Sequence, residues 1–232
     1  MPTYAVTGAS GHLGRLAVQE LLARGVPASD VVAVVRTRGK AADLAGRGVQ
    51  VREADYSRPE TLGAALAGVE RLLLVSSSEP GQRVAHHANV IRAAKTAGTS
   101  RVVYTSMLNA GDSTSPLAGE HRDSERVLVE VGVPFTVLRN GYYTEGYTGQ
   151  IGEYLEAGEI VGAAGNGRIS AAPRQDYAAA AAAALLEDEG GNRTYELGGP
   201  AQLLGRPATP LAEVAGAAHD AVPNAARDSR EH

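Results

Sequence analysis

Near the N-terminus a short apolar run, Thr3 to Thr7, ends in Gly8-Ala-Ser-Gly11-His-Leu-Gly14, and an amphipathic stretch from Leu13 to Arg24 follows. Strand, glycine turn and helix in that order leave the chain few options. Gly8 permits the tight turn, Gly11 lets a pyrophosphate approach the backbone, and Gly14 lets the helix sit close. Ala9, Ser10, His12 and Leu13 complete a turn whose free N–H groups and helix dipole suit phosphate. The spacing therefore predicts a dinucleotide site spanning Gly8 to Gly14.

The rest of the chain repeats the alternation. Val31 to Arg36, Val49 to Ala54, Arg71 to Val75, Val102 to Thr105 and Phe135 to Arg139 read as strands, with one more at 194–197. Gln82 to Ala97 reads as a helix, and Val127, Leu128 and Val131 mark another. Continuous β-branched runs separated by helices predict an α/β fold, a doubly wound parallel sheet covered on both faces. With nine Tyr, one Phe and no Trp, the core is expected to be aliphatic. After Gly141 the texture changes. Tyr142, Tyr143, Tyr147 and Tyr154 crowd a Gly- and Glu-rich stretch, a loop follows at 162–167, and Asp176 is placed to cap an alanine-rich helix. The expected division is a nucleotide-binding Rossmann domain over 1–141, a small substrate lobe over 142–200 that returns to the sheet, and an atypical tail over 201–232. A short helix at 211–218 lies within that tail.

Composition excludes several classes. There is no Cys, so thiolate nucleophiles and Cys-based metal sites are out. A net charge of -4 does not favour nucleic acid. No apolar run is long enough for a membrane span and no signal peptide is evident, so a cytoplasmic location is expected. There is no G-x-S-x-G and no H-E-x-x-H, and adjacent His86 and His87 make a poor metal pair. No metal is expected. A homodimer is left open.

The second strand ends in Arg36, followed by Arg38 and Lys40, where a protein selective for NAD would carry Asp or Glu. A guanidinium there can pair with a 2′-phosphate, so Arg36 and Lys40 point to NADPH. Asp55 suits the adenine end or a helix cap. Ser76, Ser77 and Ser78 end the fourth strand and are candidates for ribose or pyrophosphate contacts. His121 is the one histidine placed near the pocket. The Tyr-x-x-x-Lys pair that supplies an acid in ordinary short-chain dehydrogenases is absent, since the only lysines, Lys40 and Lys95, have no Tyr four residues before them. Chemistry needing little acid assistance, such as quinone reduction, remains.

Thr7-Gly-Ala-Ser-Gly-His-Leu-Gly14, Val32-Ala-Val-Val-Arg36, Ala54-Asp-Tyr56, Leu72-Leu-Leu-Val-Ser-Ser-Ser-Glu79, Leu138-Arg-Asn-Gly-Tyr-Tyr143 and Gly162-Ala-Ala-Gly165 together resemble the NmrA-like atypical short-chain dehydrogenases, notably their bacterial quinone-reducing branch. The resemblance runs from about residue 3 to 199, and the stretch after Pro200 departs from it. It implies NADPH contacts at Gly8 to Leu13, Arg36, Ser76 to Ser78, Asn140, Gly141, Tyr142, Tyr143, Thr144, Glu145 and Arg174. It also implies a quinone pocket lined by Tyr104, Met107, Asn140, Tyr142, Tyr143 and Tyr147, with hydride passing directly from nicotinamide, no flavin, and no side chain obligatory as acid. A second reading is a catalytically silent NADP(H)-binding redox sensor. A sugar-nucleotide epimerase is the weakest, for want of the tyrosine–lysine pair.

Overall fold

The structure is a computed structural model describing residues 2–160, 162, 169–188, 190–198, 214, 215, 217 and 218. In chain order the main elements are β1 (Tyr4–Thr7), α1 (His12–Ala23), β2 (Val31–Val35), α2 (Ala42–Gly46), β3 (Gln50–Glu53), α3 (Pro59–Leu66), β4 (Arg71–Leu74), α4 (Arg83–Thr96), β5 (Arg101–Met107), α5 (Pro116–Val131) and β6 (Phe135–Asn140). Then come β7 (Tyr142–Tyr143), α6 (Glu145–Thr148), α7 (Ile151–Ala157), β8 (Ala171–Ala172), α8 (Arg174–Leu186) and β9 (Arg193–Leu197).

Seven strands form one parallel sheet in the order β3-β2-β1-β4-β5-β6-β9, so the order reverses between β1 and β4. A reversal opens a crevice at the carboxyl ends of the strands flanking it, where nucleotides bind in such sheets. Each face has its own core. Leu13, Ala17, Val18 and Leu21 of α1 meet Ala178 to Ala182, Ala184 and Leu185 of α8 over one face. Residues of α3, α4 and α5, including Leu62, Leu66, Val90, Ile91 and Leu128, cover the other. The alanines of α8 make this close approach cheap, since they bury backbone without side-chain entropy.

Several expectations are corrected. The core is not purely aliphatic: Tyr104 is the largest fully buried side chain, and Tyr177 is buried with the alanines of α8. β5 runs on to Met107, because it pairs with β6 as far as Met107 opposite Asn140. Asp176 does not cap α8. The helix starts at Arg174, whose N–H is received by the Glu145 carboxylate at 2.9 and 3.2 Å, so the cap comes from α6 and Asp176 is buried in the first turn. Most of the 162–167 loop and of 201–232 lies outside the described residues; Val214, Ala215, Ala217 and Ala218 are helical, within the short helix expected there. Among the described residues, no helix is long and apolar enough to cross a membrane.

Candidate dinucleotide and substrate site

Gly8 adopts a left-handed φ of +59°, a conformation that favours glycine. Its carbonyl receives the Gly11 N–H at 2.9 Å, and the Ala9 N–H reaches Val34 O at 3.2 Å. A Cβ at position 14 would fall 2.8 Å from the Gly8 carbonyl carbon, closer still to its oxygen, and 3.0 Å from Ala9 Cα. Gly14 is therefore needed where α1 presses on the turn itself. Gly11 is the N-cap of α1 and offers no side chain to its first N–H groups. Those donors are left for an anion. Ala9 and Leu13 are buried beneath the turn, while His12 is exposed.

A cavity of about 360 Å³ opens beside the turn. It brings together Gly8, Ser10, Gly11, Arg36, Lys40, Asp55, Ser76, Ser77 and Ser78, all singled out in the sequence. Tyr56 lines it as well, its single hydroxyl proton shared between Val75 O at 2.9 Å and Thr7 Oγ1, with burial holding the phenol well above its usual range. The Arg36 side chain is 71% exposed, and its Nη1 lies 3.3 Å from Glu79 Oε1 across the mouth. Asp55 accepts from Ser57 Oγ at 2.7 Å and Ser57 N at 2.8 Å, and those bonds hold its carboxyl below the usual range. It thus shapes the turn before α3 while lining the cavity. Glu79 and His86 also line this wall, though the sequence marked neither as a cofactor contact, because the loop after β4 and the start of α4 bring them there.

A second cavity of about 460 Å³ lies past the ends of β5 and β6, lined by Met107, Leu108, Leu117, Asn140, Gly141, Tyr142, Tyr143, Gly146, Ile169, Ser170 and Arg174. Leu117, Tyr142 and Ile169 are among the large apolar side chains left exposed. Asn140 donates through Nδ2 to Tyr143 at 3.4 Å; its Oδ1 is buried and has no partner among the described residues. The Arg174 guanidinium lies 4.9 Å over the Tyr143 ring. Burial raises the Tyr143 pKa. Thr144 is buried, and Glu145 is engaged in capping α8.

Three pocket candidates sit elsewhere. Tyr104 and His121 line neither cavity; both are buried, with Tyr104 Oη 2.6 Å from His121 Nδ1, because Tyr104 is covered by α4 and α5. Tyr147 lies in a neighbouring apolar hollow with Ile151, Tyr154 and Ile160, its ring 5.3 Å from that of Tyr142.

The buried histidines give a pH prediction. Burial is the main cause that pushes His87 down to about 3 and His121 to about 4. Below pH 6.5 the unfolded chain takes up the protons these rings refuse, so stability falls as pH drops. Each ring is expected to remove about 1.6 kcal/mol in total between pH 6.5 and 5, the slope rising from about 0.7 toward 1.4 kcal/mol per pH unit, in a window where free carboxylates hardly titrate. Urea unfolding at pH 7 and pH 5 measures it; equal midpoints would mean the rings are accessible to protons.

A doubly wound sheet with an uncapped glycine turn at its switch point defines a dinucleotide-binding protein. The sequence matches the family described as NAD(P)H-binding over residues 8–189. The chain belongs to this NmrA-like NAD(P)H-binding family. It is 48% identical over 195 residues to quinone oxidoreductase 2 of Escherichia coli, covering 84% of this chain and 68% of that one. It is 32% identical over 201 residues to the NAD(P)H azoreductase of Xenophilus azovorans, covering 86% and 69%. Among solved structures, the E. coli NADPH-dependent quinone oxidoreductase complexed with NADPH matches with a TM-score of 0.82 at 45% identity, covering 94% of this chain and 75% of that one. The Citrobacter triphenylmethane reductase complexed with NADP(H) matches with a TM-score of 0.79 at 41% identity, covering 84% and 69%.

Proposed function

We propose that this chain is an NADPH-dependent quinone oxidoreductase that reduces quinones by two electrons. One observation carries the reading: a cavity over the uncapped glycine turn with a cation at its mouth and an apolar, tyrosine-lined cavity lie at the carboxyl ends of the same sheet. The family relationship and the likeness to the E. coli enzyme support it.

The residues fit the cofactor. The first N–H groups of α1 receive the pyrophosphate, and Arg36 with Lys40 faces the 2′-phosphate. Ser76, Ser77 and Ser78 wall the ribose. The orphaned Asn140 Oδ1 is an acceptor suited to a carboxamide N–H. Bound NADPH supplies a hydride. Tyr142, Tyr143 and Met107 offer flat or polarisable surface to a quinone ring. Addition of one hydride and one proton converts the quinone to its hydroquinone. Among the described residues lining this cavity there is no carboxylate, lysine or histidine, and buried Tyr143 is a weakened acid. The proton therefore comes from water, and the chain's contribution is holding the two reactants together. Substrates needing a strong acid are disfavoured by the same fact.

A steady-state assay with one simple benzoquinone and either NADPH or NADH tests the reading. NADPH oxidation with clear preference over NADH is expected. Folded protein that binds NADPH yet turns over no quinone would instead make it a redox sensor. Asn140→Ala is expected to lower kcat/KM about tenfold, the worth of one well-placed hydrogen bond; an unchanged value would remove Asn140 from the site.

A further inference from the structure

We propose that His87 is a positioning residue for the cofactor, its imidazole fixed in one tautomer so as to hold the Ser77 backbone in the cavity wall. The proposal rests on reading that cavity as the NADPH site.

The wall begins where β4 ends. Beyond Leu74 the amides are held by side chains from three other elements. The Val75 N–H goes to Thr7 Oγ1 at 3.1 Å, the Ser76 N–H to Thr105 Oγ1 at 2.9 Å, and the Ser77 N–H to His87 Nε2 at 2.9 Å. The Ser77 carbonyl receives Arg83 Nε at 2.8 Å. Arg83 is ion-paired with Glu120, which also accepts the Gly81 N–H. Both amide groups of Ser77 are thus tied to α4.

The direction of each bond around His87 follows from its donors. An amide N–H can only donate, so Nε2 carries the lone pair and the proton is on Nδ1. Nδ1–H then donates to Ser124 Oγ at 2.8 Å, and the Ser124 hydroxyl donates to Glu120 O at 2.9 Å. The ring has no exposure and packs edge-on to Tyr104, centroids 5.1 Å apart. Burial keeps it uncharged, with a pKa of about 3. A protonated ring would present a second donor to the Ser77 N–H, so an uncharged state is the one that holds the wall.

A histidine that served packing alone would affect stability without favouring one partner over the other. Two amides separate these roles. Glutamine places its terminal group near the Nε2 position and can still accept from Ser77. Asparagine places its own near Nδ1, keeping Ser124 and leaving the Ser77 N–H without an acceptor. Binding is read directly by fluorescence titration of NADPH, with no turnover required. His87→Gln is expected to bind within about twofold of the unaltered chain, and His87→Asn about tenfold or more weaker, while both lose thermal stability. Equal weakening in both variants, or unchanged binding in His87→Asn, overturns the proposal. Should His87→Asn not fold, nitrogen-15 NMR of the unaltered protein decides: an unprotonated Nε2 at pH 6 to 8, shifting on NADPH addition, is expected, and an Nε2–H tautomer overturns it. Failure of the unaltered chain to bind NADPH is visible in the same titration and would fault the reading of the cavity instead.

Discussion

Arg36→Asp is expected to raise the KM for NADPH about 100-fold while changing that for NADH by no more than about threefold. A charge-assisted hydrogen bond is worth about 1.5–3 kcal/mol, and a carboxylate beside a phosphate dianion adds repulsion to its loss. NADH has a hydroxyl at this position, which Asp can accept from. Folding should be little affected, because the Arg36 side chain is 71% exposed and its ion pair with half-exposed Glu79 is of a kind worth about 0–1 kcal/mol. Lys40 lines the same cavity and keeps part of the phosphate attraction. The kcat/KM ratio for the two cofactors with one quinone measures the effect. Equal loss for both would mean that Arg36 does not read the 2′-phosphate.

The sequence made legible what short-range chemistry decides. Three glycines at fixed spacing after a strand located the turn, and continuous apolar runs gave the parallel sheet and the strand ends where Ser76 to Ser78 and Asn140 to Tyr143 lie. Residues whose role depends on packing between distant elements were not legible. His87 and Ser77 are ten positions apart, and their bond exists because α4 folds back over the loop that precedes it. Tyr104 sits on a strand whose end does reach the site, yet it belongs to the core under α4 and α5. Leu117 and Ile169 enter the second cavity from segments with no local motif. Glu145 took the capping role that local spacing assigned to Asp176, a substitution visible only once α6 is docked.

Gly14→Ala tests the tightest contact in the site with a single methyl group. The Cβ would meet the Gly8 carbonyl and Ala9 Cα, all backbone, so no side chain can swing away. Either α1 shifts from the sheet or the turn opens, and both displace the N–H groups that receive the pyrophosphate. The expected cost is about 2–3 kcal/mol of stability, in the range of overpacked interiors, or a Tm lower by roughly 4–12 °C for a chain of this size. NADPH binding should weaken by about 100-fold or more, since the N–H donors of a helix N-terminus act only over its first turn. Gly11→Ala is a milder step: its Cβ would stand 3.2 Å from Gly8 O, at an exposed position where small adjustment is available. Gly63, within α3, supplies the control. Nothing lies within 4 Å of a Cβ there, so Gly63→Ala should stabilise by about 0.5–1 kcal/mol through helix propensity and leave binding unchanged. Calorimetry and NADPH titration across the three variants should therefore rank binding as Gly63→Ala, then Gly11→Ala, then Gly14→Ala. A Gly14→Ala protein that binds NADPH like the parent would show that α1 can retreat without moving the turn.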